Sequence, residues 1–339
     1  MDSYLQQLVA EAPAIDVHSH QGTKGIWQAR NLWEILSYHW LAADLRCAGC
    51  PPELFTEDMD PREKCCRAAQ YMKGARNTVN AWCFQNIARE LYGFRDEYLD
   101  QTNCDWLYDA VQAKVEDPKW ETHVLDQARV ERASSAWNEQ PRLPERYFPY
   151  EYGEWLFCPA LSPEAQANFT RLGGVDTADK LAAAIDRNIR GLVKDHGIRA
   201  LHVWAPLTWT YTPTEPGLAE AALTKVLSAA RLTPLEQNQL ASFTADRAAE
   251  VCGELGVVIQ LFCGSITMET GGPQVSMYRP DWLRALVPYF GKYKQTTFDL
   301  FLATRLLSHE AAVLSRNYPN LWVSGAWWQA FTPSTLSVF

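Results

Sequence analysis

A chain of 339 residues holds one large domain or two ordinary ones, and with 47% hydrophobic residues it can close a full core. The net charge of −9 argues against a nucleic-acid partner, because phosphate binding needs a basic face. No apolar segment is long enough to span a membrane, and Met1–Leu5 lacks the basic and apolar regions of a signal peptide. Nine cysteines without a paired pattern read as reduced thiols, so the expected location is the cytoplasm.

The first predicted element is a strand at the amino end, Ala14-Ile15-Asp16-Val17-His18-Ser19-His20. Residues two apart in a strand share a face, so His18 and His20 leave its carboxyl end side by side, placed to share one metal ion. Neutral imidazole suits Zn, Fe, Ni or Cu, and a catalytic zinc site takes three protein ligands with one position open. Two histidines are therefore part of a site, and partners must come from elsewhere. From about residue 24 to 126 the pattern is helical: Asn31–Leu41 behind an Asn31 cap, Pro61–Gly74, Asn77–Tyr92 with Gly93 as its stop, and 97–126. This stretch reads as a helical insertion or cap within a single domain spanning 1–339.

Beyond it the rhythm changes to strands separated by helices. Strands are expected at Val130–Ala136, Glu154–Pro159, Ile198–Trp204, Gly256–Cys263, Thr296–Leu302 and Asn320–Gly325. Helices are expected at Thr177–His196, at Thr233–Leu255, and from Arg279 and Leu306. Continuous apolar strands alternating with helices predict a parallel sheet covered on both faces. The fold class is α/β, a (β/α)8 TIM-type barrel with the eighth strand absent from the chain. Such barrels carry functional groups at the carboxyl ends of the strands, which selects His18, His20, His202, Phe262–Ser265, Trp327 and Trp328. His202, amid apolar residues, reads equally as a hydrogen-bonded core histidine. His39, in the first helix of the insertion, reads from its surroundings as structural. No GxGxxG or Walker motif is present.

Together these stretches resemble the uronate isomerase (glucuronate isomerase) branch of the amidohydrolase superfamily. The family's metal-binding His-x-His is matched by His18 and His20, and its acidic-His-Tyr helix with Met-Arg-x-x-Gly by Tyr38-His39-Trp40 and Leu45-Arg46-Cys47-Ala48-Gly49. Its Asn-Pro-Leu-Tyr-x-Trp helix is similar to Asn77–Trp82, and its Gly-x-Arg-Ala strand to Gly197-Ile198-Arg199-Ala200. The family's Gln-Leu-His-x-Gly is similar to Gln260–Gly264, and Pro-Asn-x-Trp-x-x-Gly-x-Trp-Trp to Pro319–Trp328. The resemblance implies isomerisation of a hexuronic acid, from aldose to ketose in the manner of glucuronate to fructuronate. One divalent metal ion, zinc first, would sit on His18 and His20. His39 and His202 would be catalytic, and Arg46, Arg199, Trp327 and Trp328 would bind a small sugar acid. A homo-oligomer is left open.

The chain also departs from the family. Phe262 stands where the family has a histidine, Leu161-Ser162-Pro163 replaces an Arg-Pro-Asp, and Ala200-Leu201-His202-Val203-Trp204 loses an acid and gains a histidine. The eighth-strand aspartate of the superfamily would lie beyond Phe339, so the chain is expected to be a fragment or to complete its site differently. Two other readings compete: a metal-dependent hydrolase of an amide, ester or lactone, and a protein that binds metal or sugar acid without turnover.

Overall fold

The computed structural model describes residues 11–20, 28–139, 141, 143–162, 164–267, 274–276 and 279–324, with Tyr4, Gln7 and Leu8; at 39, 266, 267 and 274–276 it describes the backbone alone. The chain divides into two compact units. The first takes 1–133, 141–146 and 330–339, and the second takes 134–140 and 147–329.

The first unit begins with β1 (Ala14–Asp16) and continues in helices: α1 (Leu32–Leu36), α2 (His39–Cys47), α3 (Pro61–Ala75), α4 (Val79–Tyr92), α5 (Cys104–Val115) and α6 (Trp120–Gln127). Their ends are chosen by local chemistry. The Asn31 side chain accepts from Glu34 N at 3.1 Å, Asp60 accepts from Arg62 N and Glu63 N ahead of Pro61, and Thr78 accepts from Ala81 N. Gly93 stops α4 in the left-handed conformation at φ 76°. The helix expected over 31–41 breaks at Ser37–Tyr38. On one straight helix Leu36 and Leu41 would point about 140° apart, and the break lets both bury in one core with Leu32, Leu45, Cys65 and Leu107. The helix expected over 97–126 is likewise two helices, parted near Glu116–Lys119.

From α6 the chain enters β2 (Val130–Ala136), whose Val130–Ala133 belong to the first unit and pair in parallel with β1, Asp16 opposite Ala133. The remainder of β2 opens the second unit. There follow β3 (Tyr147–Tyr152), α7 (Glu154–Phe157), α8 (Ala165–Leu172), α9 (Ala178–His196), β4 (Ala200–Trp204), α10 (Pro216–Leu227), α11 (Pro234–Leu255) and β5 (Val258–Cys263). A small antiparallel pair, β6 (Ser265–Thr267) with β7 (Gln274–Ser276), precedes α12 (Pro280–Ala285), α13 (Val287–Lys292), β8 (Phe298–Leu302), α14 (Ser308–Asn317) and β9 (Leu321–Ser324). Within this unit the sheet runs β2-β3-β4-β5-β8-β9, its measured pairings all parallel. With β1, seven parallel strands alternate with helices, the α/β plan expected for a TIM-type barrel, and no eighth such strand is present among the described residues.

The long helices follow the sequence closely. Thr233 and Glu236 close a reciprocal capping box at the head of α11, and Gly256 ends it at φ 66°. One strand is corrected. Glu154–Pro159 is not a strand but α7 and the start of a short 3-10 turn, and the third strand lies earlier, at Tyr147–Tyr152. The apolar run Trp155-Leu156-Phe157 is buried because a helical turn packs it on the sheet, so its apolarity reported burial and not strand. The real strand hides behind Pro149 and charged Glu151, although its aromatics favour β structure.

Candidate active site

In the first unit, β1 ends at Asp16 and the chain turns sharply. The Asp16 carboxylate accepts from His18 N at 3.1 Å, which fixes the backbone that delivers both histidines. Their Nε2 atoms lie 3.1 Å apart, with the rings edge to face at a centroid distance of 5.0 Å. Ligands at about 2.0–2.1 Å in a tetrahedral zinc site stand roughly 3.3 Å from one another, so this spacing fits two ligands of one ion. Burial, aided by the neighbouring His20, lowers the His18 pKa to about 4 and leaves it the neutral base that a metal requires. Burial pushes the Asp16 carboxyl up. The donor set fits a metal, and among the described residues no cluster of three His, Cys, Asp or Glu completes it.

The ring of Tyr38 meets His20 edge-on at 6.2 Å, and Tyr38 is the residue before α2. The backbone of His39 therefore starts its helix beside His20, while the His39 side chain lies outside the described part of the structure. Arg46, on the last turn of α2, is exposed and holds its guanidinium 5.7 Å from the Phe55 ring centre. Trp327 and Trp328 lie outside the described residues.

In the second unit the register aligns Tyr152, His202, Gln260, Asp299 and Trp322 across β3, β4, β5, β8 and β9. Residues in register share a face, so β4, β5 and β8 present a buried polar layer. His202 is 1% exposed and stacks on Tyr150 at 3.7 Å. Gln260 Nε2 donates to Asp299 Oδ2 at 2.7 Å, and Ser324 Oγ donates to the same oxygen at 2.5 Å. Burial pushes the Asp299 carboxyl up. Two residues further along the strands, Trp204, Phe262 and Phe301 cover this layer, with ring centres 5.1 and 4.8 Å apart. Phe262 thus fills with an aromatic ring the position where the resemblance called for a histidine. Arg199 precedes β4 at its amino end and is exposed, with its backbone paired to Pro149 and Val258. That end is opposite to the one where barrels of this type bind ligands.

A cleft of about 480 Å³ in the same unit is lined by Trp137, Glu151, Glu154, Trp155 and Arg171, among others. Glu151 is buried and accepts from the indoles of Trp137 and Trp155 and from Arg171, whose guanidinium lies 3.7 Å over the Trp155 ring centre. Glu154 accepts from Trp204 N, and burial pushes its carboxyl up. Sequence reasoning missed this cleft because it misplaced the third strand. The alternation of Tyr150, Glu151 and Tyr152 was the available signal.

Residues 2–138 match the family model described as glucuronate isomerase. A uronate isomerase from Thermotoga maritima superposes with a TM-score of 0.78 at 16% identity, covering 99% of this chain and 82% of that one. A glucuronate isomerase from Caulobacter crescentus gives 0.74 at 19% identity over 96% and 76% of the two chains. A uronate isomerase from Bacillus halodurans gives 0.64 at 16% identity over 96% and 74%. No curated protein matches the chain. The expected resemblance is borne out over residues 2–138 by the family model, and the fold of these isomerases is shared over nearly the whole chain.

Proposed function

We propose that this chain, glucuronate-isomerase-like in sequence over residues 2–138 and built on the uronate isomerase fold, is an isomerase that converts a hexuronic acid from aldose to ketose. The observation that carries the reading is the pair His18 and His20, convergent at 3.1 Å at the carboxyl end of β1. They would hold a divalent metal ion, zinc first, which when bound supplies Lewis-acid stabilisation of oxyanion charge. Asp16 keeps the turn that aims both rings. The reaction moves a proton from C2 to C1, which needs a group within hydrogen-bond reach. We assign that transfer to His39, because α2 begins beside His20. We assign His202 a positioning role, since its ring is buried against Tyr150. Arg46, Trp327 and Trp328 are proposed to contact the sugar acid, Arg46 through a charge-assisted bond to its carboxylate, whereas Arg199, at the amino end of β4, is withdrawn from the substrate-binding set. Nine free cysteines support a reducing cytoplasmic location.

The test is turnover of a hexuronate panel that includes glucuronate, alongside lactone and amide substrates, with metal content measured on the same preparations. Ketose formation by the metal-loaded protein is expected, and replacing His18 and His20 together with alanine should remove both bound metal and turnover. Hydrolysis without isomerisation, or full turnover in the double variant, overturns the reading. His39→Gln should lower kcat by about 10²–10⁴-fold with KM retained.

A further inference from the structure

None of the residues assigned to isomerisation lines the cleft of about 480 Å³, and every residue that does line it belongs to the second unit. The cleft opens where two strands end: Trp137 and Asn138 follow β2, and Glu154 and Trp155 stand just past β3 in α7. That is the end of a parallel α/β sheet at which ligands bind, and the volume falls within the roughly 300–1,000 Å³ of small-molecule sites. A further wall is α8, which brings Asn168 and Arg171, three residues apart on one face, to the cleft.

The middle of the cleft is fixed before any ligand arrives. Glu151 is buried, and its carboxylate accepts from the Trp137 and Trp155 indoles and from Arg171 at 3.3 Å. The Arg171 guanidinium is held between that carboxylate and the Trp155 ring, 3.7 Å from its centre, yet the side chain is 53% exposed. One N–H goes to Glu151, and the rest of the fork has no protein acceptor among the described residues. The Asn138 and Asn168 side-chain amides are likewise unengaged there. Ser162 Oγ accepts from Glu164 N at 3.1 Å, which leaves its O–H to donate. The Tyr152 hydroxyl accepts from Tyr150 at 3.0 Å and keeps its own proton to give.

The ligand class follows from which groups are spent and which are open. Arg171 is the one cation among the lining residues; Glu151 cancels it, and Glu154 and Glu164 add acid to the same walls. An anion would therefore meet no net positive charge. An organic cation would need a bare ring face, but Arg171 covers Trp155 and His196 stacks on Trp137 at 3.9 Å. The open groups are planar, a guanidinium and two amides, and each can bond two neighbouring hydroxyls at once. We propose that this cleft binds a neutral vicinal diol of monosaccharide size, an uncharged sugar or cyclic polyol, with Arg171, Asn168 and Asn138 holding its hydroxyls. Glu151 is the positioning residue: it orders the guanidinium in advance, so that binding does not have to.

The experiment uses the full chain with His18 and His20 replaced by alanine and treated with EDTA, so that metal at those residues contributes nothing. D-Glucose and myo-inositol are titrated by ligand-observed saturation-transfer NMR, beside glucuronate, tetramethylammonium and cyclohexanol. Saturable binding of D-glucose or myo-inositol is expected, about tenfold tighter than any of the other three, and the tighter of the two decides between sugar and cyclic polyol. Arg171→Ala should weaken it about tenfold or more by removing a charged donor, and Asn168→Ala about threefold. Because Arg171→Ala strips buried Glu151 of its cation, Asn168→Ala carries the test where that variant does not fold. The proposal is overturned if neither D-glucose nor myo-inositol binds saturably, if glucuronate or tetramethylammonium binds more tightly than both, or if the folded variants bind with unchanged affinity. Turnover is read on the unaltered metal-loaded chain, so its failure and the failure of this proposal are separate results.

Discussion

The helical core of the first unit and the parallel sheet of the second bury their apolar side chains by different routes. In the helices each buried position is set by neighbours three or four residues away, as with Ala68, Ala69 and Met72 on α3 or Leu107 and Val111 on α5. In the sheet the neighbours come from far along the chain: Leu201 lies opposite Ile259, and Ile259 opposite Phe298. All five residues of β8 are buried, so this strand has no solvent face, whereas β1 in the first unit is largely exposed, Ile15 at 58%. The lesson is that polar residues in the central strands have nowhere to go but into one another. That is why Gln260, Asp299 and Ser324 are found hydrogen-bonded in a layer of their own.

The comparison can be broken hardest at the sheet. Phe298, fully buried between Tyr289 and Phe290 at ring distances of 5.3 and 5.1 Å, anchors β8 to α13. Phe298→Ala should cost about 3–5 kcal/mol in denaturant unfolding, and Leu107→Ala in the helical core about 2–5 kcal/mol. A loss below about 1 kcal/mol for Phe298→Ala would mean that the sheet core is loosely packed.

Two glycines sharpen the contrast at smaller scale. Both hold positive φ, but a Cβ at Gly93 meets nothing within 4 Å, whereas at Gly264 it would stand 2.7 Å from Thr304 Cγ2. Gly93→Ala should cost about 1 kcal/mol, the backbone strain alone. Gly264→Ala should cost more, about 1–3 kcal/mol, because strain and crowding add. Thermal melts of the two variants side by side decide it, and equal losses would place no weight on the close approach.

The smallest effect expected is one of pH. Burial raises the Asp299 carboxyl above the ordinary 3.8 of an aspartate, so the folded chain holds this proton where the unfolded chain has released it. The folded state then binds more protons, and this group's contribution to stability falls as pH rises from 3.8 through the folded value and is level above it. Asp299→Asn, which keeps an acceptor for Gln260 and Ser324, should flatten that decline in a Tm–pH series. An unchanged slope would show that the carboxyl titrates normally.

Much of the fold was legible because its signals are local. Asn31, Thr177 and Thr233 head helices as caps, Gly93, Gly197 and Gly256 end them, and the strand at Val130–Ala136 starts and stops at the expected residues. The convergence of His18 and His20 was legible too, although the turn that Asp16 holds after β1, and not strand alternation, brings the rings together. The third strand was not, since Trp155–Phe157 and Tyr147–Tyr152 carry similar apolarity and only packing against the sheet separates helix from strand.

By itself, then, the sequence determined which segments are helical, how they are capped, and that two imidazoles converge after the first strand, because each of these depends on atoms a few bonds or one turn apart. Only the tertiary structure decided that His202, Gln260 and Asp299 stand level beneath the rings of Trp204, Phe262 and Phe301. This grouping arises from strand register, which brings together residues tens of positions apart that no local pattern connects.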